Sequence, residues 1–256
     1  YRATSGNWFV TNNCSAPSFS RTKDMGATWT DLSGQFRIPQ VEAIRKDAAA
    51  NLYAQTCRSG AYEKSTDGGQ SWADLIISDG GPVLVKNLAT RPDGFILAIG
   101  ANDNLYRSFD NGVNWSSIQS PQISTSLIND RVYIDGNGTC YYVAYFGQYY
   151  RSVNNGDSWQ ALNFYHPFYY VEPAFHPNGD IYAGDLSIGY HYYANLDSTG
   201  YIEVPGTQFL DFYHFHCTNG GTVFFTGFDH GAGGAEILFR IPNGSGIPEQ
   251  LPFSPI

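Results

Sequence analysis

Ser65-Thr66-Asp67-Gly68-Gly69-Gln70-Ser71-Trp72 is a run of turn formers that ends on a tryptophan, and it recurs three more times in the chain. The other copies are Thr22-Lys23-Asp24-Met25-Gly26-Ala27-Thr28-Trp29, Ser108-Phe109-Asp110-Asn111-Gly112-Val113-Asn114-Trp115 and Ser152-Val153-Asn154-Asn155-Gly156-Asp157-Ser158-Trp159. The third position falls at 24, 67, 110 and 154, a period of 43 or 44 residues. Such a period signals a chain of stacked supersecondary units. Within each copy the acid or amide can accept hydrogen bonds from backbone N–H groups two residues on, as in Asx turns. The glycine supplies a positive φ, and the tryptophan is expected to return into the core. Asp24, Trp29, Asp67, Trp72, Asp110, Trp115, Asn154 and Trp159 are therefore read as structural rather than catalytic.

Outward from the copy at 65–72, residues 40–78 divide into four short strands. Alternation and Gly, Asn and Asp punctuation place them at 40–46, 52–56, 61–66 and 71–76, with the quoted stretch as the last hairpin turn. The turn between first and second strands recurs as Asp93-Gly94, Asn137-Gly138, Asn178-Gly179 and Asn219-Gly220-Gly221. One further period beyond Asn154 reaches a decayed copy at Asn195-Leu196-Asp197-Ser198-Thr199-Gly200. Another reaches Arg240, where Phe239-Arg240-Ile241-Pro242-Asn243-Gly244 keeps only turn character. Backwards, Ser5-Gly6-Asn7 is the matching turn of the first unit, after a shortened strand at 1–4. Six units follow, at about 1–34, 35–78, 79–120, 121–164, 165–206 and 207–256, as one domain whose ends meet.

The pattern S/T-x-D-x-G-x-S/T-W resembles the Asp-box, or BNR repeat, of sialidase-like β-propellers. The resemblance implies an all-β, six-bladed propeller of four-stranded antiparallel blades. Asp-box turns would join third to fourth strands in blades 1–4 and be degenerate in blades 5 and 6. It also places the functional face at the opposite rim, on loops joining second to third strands and on loops between blades. Phe36-Arg37-Ile38-Pro39 matches the family's F/Y-R-I-P motif, whose arginine grips a substrate carboxylate, a natural bidentate pairing. Arg58 lies at a similar distance from its box. The family's acid/base Asp and its two later arginines have no clear match: Arg131, Arg151 and Arg240 are the only candidates left, and Arg151 leads into a box strand as Arg107 does.

Composition excludes several classes. The 256 residues contain 42% hydrophobic and 16% aromatic side chains, which suits strands with packed faces. No apolar run approaches the roughly 20 residues that span a bilayer, so membrane insertion is not expected. The net charge is −9, and residues 151–256 hold Arg151 and Arg240 against 10 acids. Nucleic-acid binding needs a basic footprint and is set aside. The acidity serves solubility or marks a binding surface. Twelve of the 19 tyrosines lie between Tyr141 and Tyr193, for seam packing with a few left to stack on sugars or proteins. Cys14 and Cys57 each precede a box Asp by ten residues, so a disulfide is compatible with an oxidising compartment. Cys140 and Cys217 are expected as buried thiols. The first residue is Tyr1, which implies a processed precursor carrying an export signal elsewhere, hence an extracellular or cell-surface location. Asn13, Asn114, Asn137 and Asn243 head glycosylation sequons.

The candidate ligand-binding residues are Arg37, Arg58, Gln148, Tyr165, His166, Tyr190, His191 and His230. Asp103, Asp185 and Asp229 lie at or near the ends of second strands, where two carboxylates could flank a sugar ring. His214 and His216 share a strand face as metal ligands could, but no third ligand stands beside them, and packing is the simpler reading. No metal or cofactor is expected. Function divides between a non-catalytic glycan- or protein-binding module, a sialidase-like glycoside hydrolase using Arg37, Arg58 and those Asp residues, and a spacer within a larger extracellular assembly. The binding module, monomeric or part of an assembly, is the favoured expectation.

Overall fold

The computed structural model describes residues 8–11, 19–36, 41–47, 49–56, 61–121, 130–144, 147–165, 173–185, 189–193, 202–203, 210–218, 220–229, 235–242 and 248–251. At 42, 163–165, 183–185, 189–193, 202–203, 210–214, 228–229 and 235–236 the description is of backbone alone. These residues are all-β apart from 3-10 turns at Ser33–Gln35 and at Pro242. The strands β1 Trp8–Thr11, β2 Phe19–Thr22 and β3 Thr30–Asp31 make a three-stranded sheet. A four-stranded sheet follows from β4 Val41–Lys46, β5 Leu52–Thr56, β6 Tyr62–Ser65 and β7 Ala73–Asp74. Next is a five-stranded sheet of β8 Ile76–Ile77, β9 Val83–Thr90, β10 Ile96–Gly100, β11 Leu105–Ser108 and β12 Ser116–Ile118. Three further four-stranded sheets are β13 Arg131–Ile134 to β16 Gln160–Tyr165, β17 Ala174–Phe175 to β20 Ile202–Glu203, and β21 Leu210–Cys217 to β24 Glu249–Leu251. Between these ends lie β14 Cys140–Val143, β15 Gln148–Ser152, β18 Ile181–Asp185, β19 Gly189–Tyr193, β22 Val223–Asp229 and β23 Ala235–Ile241. Neighbouring strands in each sheet are consecutive in sequence, the meander of a propeller blade.

Two expected boundaries move. Ile76 and Ile77 leave the second sheet and pair with Leu84 and Val83, so this segment edges the third sheet rather than ending the second. Phe239, Arg240 and Ile241 are strand, paired with Phe225, Phe224 and Val223, and Arg240 meets Glu249 instead of sitting in a turn. The apolar alternation of 235–241 favours strand at 240, where the repeat period alone implies a turn. The segments 1–7 and 194–200, where a first strand and a decayed box were expected, lie outside the described residues.

The chain forms two compact units, Tyr1–Tyr133 with Val153–Ser158, and Ile134–Ser152 with Trp159–Ile256. In the first unit β5 is buried along its whole length. Its period-2 side chains explain this: Leu52 and Ala54 join Phe9, Phe19, Leu32, Phe36 and Val41, while Tyr53 faces Tyr62, Leu75, Val85, Leu88 and Ile96. The second sheet is thus apolar on both faces and packs between the first and third sheets. In the second unit Tyr182, Phe215, Val223, Phe225, Phe239 and Ile241 form the equivalent core. Tyr141, Tyr142, Tyr149 and Tyr182 are fully buried, so seam packing accounts for these members of the tyrosine cluster.

Among the turns from first to second strands, one backbone device shapes the five at 47–51, 91–95, 135–139, 176–180 and 218–222. The fourth residue donates its N–H to the first carbonyl, and the first residue donates its own N–H to the fifth carbonyl. The fourth residue is left-handed each time: Gly94, Gly138, Gly179, Gly221 and, at φ 65°, Ala50. A Cβ is disfavoured there by about 1–2 kcal/mol. After the entropic cost of glycine, Ala50→Gly is expected to stabilise the first unit by about 0.5–1 kcal/mol, read from the denaturant midpoint.

The quoted turn works differently from a simple Asx turn. The N–H two residues after Asp67 is taken by the Ser65 hydroxyl at 2.8 Å. Asp67 instead accepts the N–H groups of Gln70 and Ser71, at 2.8 and 3.0 Å, and the hydroxyls of Ser71 and Ser65, at 2.6 and 2.7 Å. Asp24 and Asp110 repeat the scheme. Two successive residues are left-handed, Gly68 and Gly69 here and Asn111 and Gly112 in the third copy. The tryptophans are less buried than expected: Trp72, Trp115 and Trp159 are half-buried, and Trp29 is exposed. Each follows its turn directly, and Trp72 still packs on Phe19 and Phe36.

These bonds act on charge. The Thr22 hydroxyl, then Thr28, hold Asp24 down at about 2, and the Asn114 backbone and side chain hold Asp110 at about 2. Burial pushes Asp67 upward, but Ser71, Ser65 and Gln70 outweigh it and leave it below the ordinary carboxylate range. Carboxylates depressed in the folded state stabilise it fully above the unfolded range, near about pH 4, and the contribution is lost as protons bind in the native turn. Tryptophan fluorescence is expected to report acid loosening as pH falls from about 4 to about 2, and Asp110→Asn should shrink that pH dependence.

Candidate binding face

The quoted turns and the five hairpins lie at one end of the strands, which is heavily braced. Asn111 donates its N–H to Gly94 O at 2.9 Å, joining the two turn types within one sheet. Between sheets, a cation three residues before each box acid reaches the next turn. Arg21 donates to Gly69 O at 3.3 Å, Lys64 to Asn111 O at 2.7 Å, and Arg107 to Asn155 O at 2.9 Å and Asp157 Oδ1 at 2.6 Å. Arg91 also donates to Asn155 Oδ1 at 2.8 Å, and stands 4.6 Å over the Phe95 ring. Burial pulls Lys64 below its usual range, against the opposing pull of Asp47 and Asp110. The signal for these clamps is visible in the sequence as Arg21, Lys64 and Arg107, yet their partners are not; Arg151, at the equivalent place, donates to Gln160 Oε1 within its own sheet at 2.9 Å.

The opposite end carries the turns between second and third strands. At the β10–β11 turn Gly100 donates its N–H to Asn104 O and Asp103 donates to Gly100 O, with Asp103 left-handed at φ 63°. Aspartate tolerates that region better than most residues. Lys86, from β9, places its Nζ 2.9 Å from Asp103 Oδ1. Asn102 Nδ2 donates to Tyr106 Oη at 2.7 Å. Gly100 is closely surrounded: an added Cβ would stand 2.6 Å from Asn102 Oδ1 and 2.9 Å from both Tyr106 and Val83 side chains. β9 meets the same turn where Ala101 donates its N–H to Leu84 O, and Asp79, between β8 and β9, accepts the N–H of Ser117 on β12 at 2.6 Å. The arrangement presents a half-exposed, charge-paired carboxylate on a stiff loop. Lys86 was not anticipated, since nothing in local sequence couples residues 86 and 103.

At the β14–β15 turn Gln148 donates both amide hydrogens inward, to Tyr149 O at 3.0 Å and Leu162 O at 2.8 Å, across a register shift between Gln148 and Tyr150. Asp185 and Asp229 are the last residues of β18 and β22, the second strands of their sheets, as expected. Tyr165 ends β16, and Tyr190 and His191 lie in β19; the side chains of these five residues lie outside the described part. Arg37, Arg58, His166, His230, Cys14 and Cys57 lie outside the described residues. Phe36, which opens the F-R-I-P motif, is a core residue: its ring stands 5.0 Å from Phe19 and 4.9 Å from Trp72. His216 is exposed, and a bulge between Tyr213 and His216 interrupts the alternation that would put His214 and His216 on one face. Among the described residues no group of three or more metal-ligating side chains occurs, and no helix is long and apolar enough to cross a membrane. Cys140 and Cys217 are free thiols, the first buried and the second half-buried.

No protein-family model matches this chain, and no curated protein sequence does. Solved structures are similar. Virginiamycin B lyase from Staphylococcus aureus aligns with a TM-score of 0.69 at 12% identity, over 100% of this chain and 84% of that one. YCF48 bound to D1 peptide aligns with a TM-score of 0.56 at 17% identity, over 82% of this chain and 69% of that one. The GH74 enzyme of Niastella koreensis aligns with a TM-score of 0.55 at 19% identity, over 83% of this chain and 31% of that one. At such identities the likeness defines the fold, and the fold is a β-propeller.

Proposed function

We propose that residues 1–256 form a single six-bladed Asp-box propeller, exported from the cell, that binds a glycan or an extracellular protein without catalysis. The period of 43 or 44 residues and the repeated turn geometry support the Asp-box and six-blade reading. The ligand would be met by the end bearing the β10–β11 turn. The observation that carries this reading is the Lys86–Asp103 pair at 2.9 Å. Lys86 and the braced β10–β11 turn hold the Asp103 side chain in one place, which suits a fixed polar contact for a ligand. Similar folds serve both roles: YCF48 is solved with a D1 peptide, and GH74 proteins are enzymes.

The test is binding of the purified chain to glycan and peptide arrays, beside hydrolysis of a panel of aryl glycosides. Binding without turnover is expected, and Lys86→Met should weaken it by about tenfold, about 1.4 kcal/mol. Hydrolysis of any member of the panel that Asp103→Asn, Asp185→Asn or Asp229→Asn abolishes would overturn the reading.

A further inference from the structure

Two neighbouring box turns carry apolar tips that the turn itself does not need. Phe109 and Val113 in the third copy and Val153 in the fourth are between 55% and 80% exposed. The second copy forms the same turn with Thr66 and Gln70 in the places of Phe109 and Val113. The bonds that shape both turns come from the Ser and Asp side chains at the first and third positions. Large apolar groups at the tips therefore cost hydration without serving the turn, and exposed apolar residues that group together mark a surface that meets a partner.

These three residues are drawn into one patch by two arginines. Arg107 stands 5.3 Å over the Phe109 ring and donates to Asn155 O and Asp157 Oδ1, in the turn that carries Val153. Arg91 donates to Asn155 Oδ1 and stands over Phe95, whose ring lies 5.2 Å from that of Phe109. All of these residues belong to the first unit.

The patch shows its charges unevenly. Arg91 pairs with Asp93 at 2.7 Å and Arg107 with Asp157 at 2.6 Å, and the two arginine side chains are only 21% and 19% exposed. Their carboxylate partners are 58% and 61% exposed. The hydrogen bond from Arg91 holds Asp93 below the ordinary carboxylate range, so it stays ionised. What faces outward is an apolar centre framed by carboxylates, on a chain of net charge −9. We propose that this patch is a docking surface for a basic, apolar segment of another protein, whose Lys or Arg side chains meet Asp93 and Asp157 while its apolar side chains cover Phe109, Val113 and Val153. An anionic bilayer is repelled by the same carboxylates, and a second copy of this acidic chain brings like charges together. The patch lies at the opposite end of the strands from the β10–β11 turn, so it stands apart from the ligand site proposed there.

The probe is a labelled synthetic peptide in which Leu alternates with Lys, set beside the same peptide with Glu for Lys and read by fluorescence anisotropy on the full chain. Binding of the Lys peptide alone is expected, weakening as salt rises from about 0.05 to about 0.5 M. Val113→Ser combined with Val153→Ser should weaken it about tenfold. The fold should survive, since the second copy holds polar residues at such positions. Amide shifts on titration should centre on residues 109–113 and 153–157. Equal binding of the two peptides, an affinity that the double variant leaves unchanged, or shifts centred elsewhere overturns the proposal. So does binding to phosphatidylserine vesicles in place of the peptide, or self-association of the chain that the double variant removes. Should the double variant fail to fold, the wild-type shifts decide alone.

Discussion

Gly69→Ala is expected to destabilise the first unit by about 2–4 kcal/mol, combining a left-handed backbone penalty of about 1–2 kcal/mol with overpacking of about 1–3 kcal/mol. Gly69 has φ 85°, and a Cβ there would stand 2.6 and 2.8 Å from two ring atoms of Phe9. Phe9 cannot retreat readily, because it stacks on Phe19 at 5.4 Å in a core that also holds Leu32, Phe36 and Leu52. Gly26 is the control. It holds the same place in the first copy at φ 100°, but the nearest atom to its added Cβ is on Trp29 at 3.8 Å. Gly26→Ala should therefore show the backbone penalty without the clash. Equal losses for the two variants in denaturant unfolding would mean that Phe9 yields and the core is not close-packed there.

Asp47→Ala is expected to lower stability by about 2–4 kcal/mol, because it strands one buried and two part-buried donors at once. The Asp47 carboxyl is buried and accepts the Asn51 N–H at 2.9 Å, the Asn51 side-chain amide at 2.7 Å and the Tyr53 hydroxyl at 2.7 Å. Burial, then Asp47, pushes the Tyr53 phenol well above its ordinary range, so it remains a donor throughout the working pH range. Tyr53 also reaches Asn111 O at 3.2 Å, linking the hairpin to the turn of the next sheet. Tyr53→Phe should cost about 1–2 kcal/mol, and the double variant should fall short of the sum by about 0.5 kcal/mol or more. Simple additivity would show that the two groups do not act together.

The candidate site was legible in part. Asp185 and Asp229 end second strands, as their place in the repeat implied. The turn at 102–104 also falls where expected, between β10 and β11. What local sequence did not disclose was the partner of each group. Asp103 meets Lys86, which stands 17 residues earlier on another strand. Gln148 looks like a ligand contact by position, yet its amide braces a register shift in its own sheet. Asp67 and Asp110 accept N–H groups three and four residues on, and Asp24 accepts the one four residues on, rather than the N–H two residues on that an Asx turn would supply.

By itself the sequence determined the all-β character, the 43- or 44-residue unit and the place of the turns up to Asn219, though not at Arg240. These follow from short-range physics: alternation sets strands, and residues such as Gly69 and Gly94 stand where the backbone must turn left-handed. Only the tertiary structure decided what lies between units. Arg21, Lys64 and Arg107 each close on a carbonyl about 47 or 48 residues away. His176 reaches the Gly221 carbonyl, 45 residues on. Such partners are chosen by the packing of one sheet against the next, and no periodicity in a single chain records which of two equally spaced groups a side chain will reach.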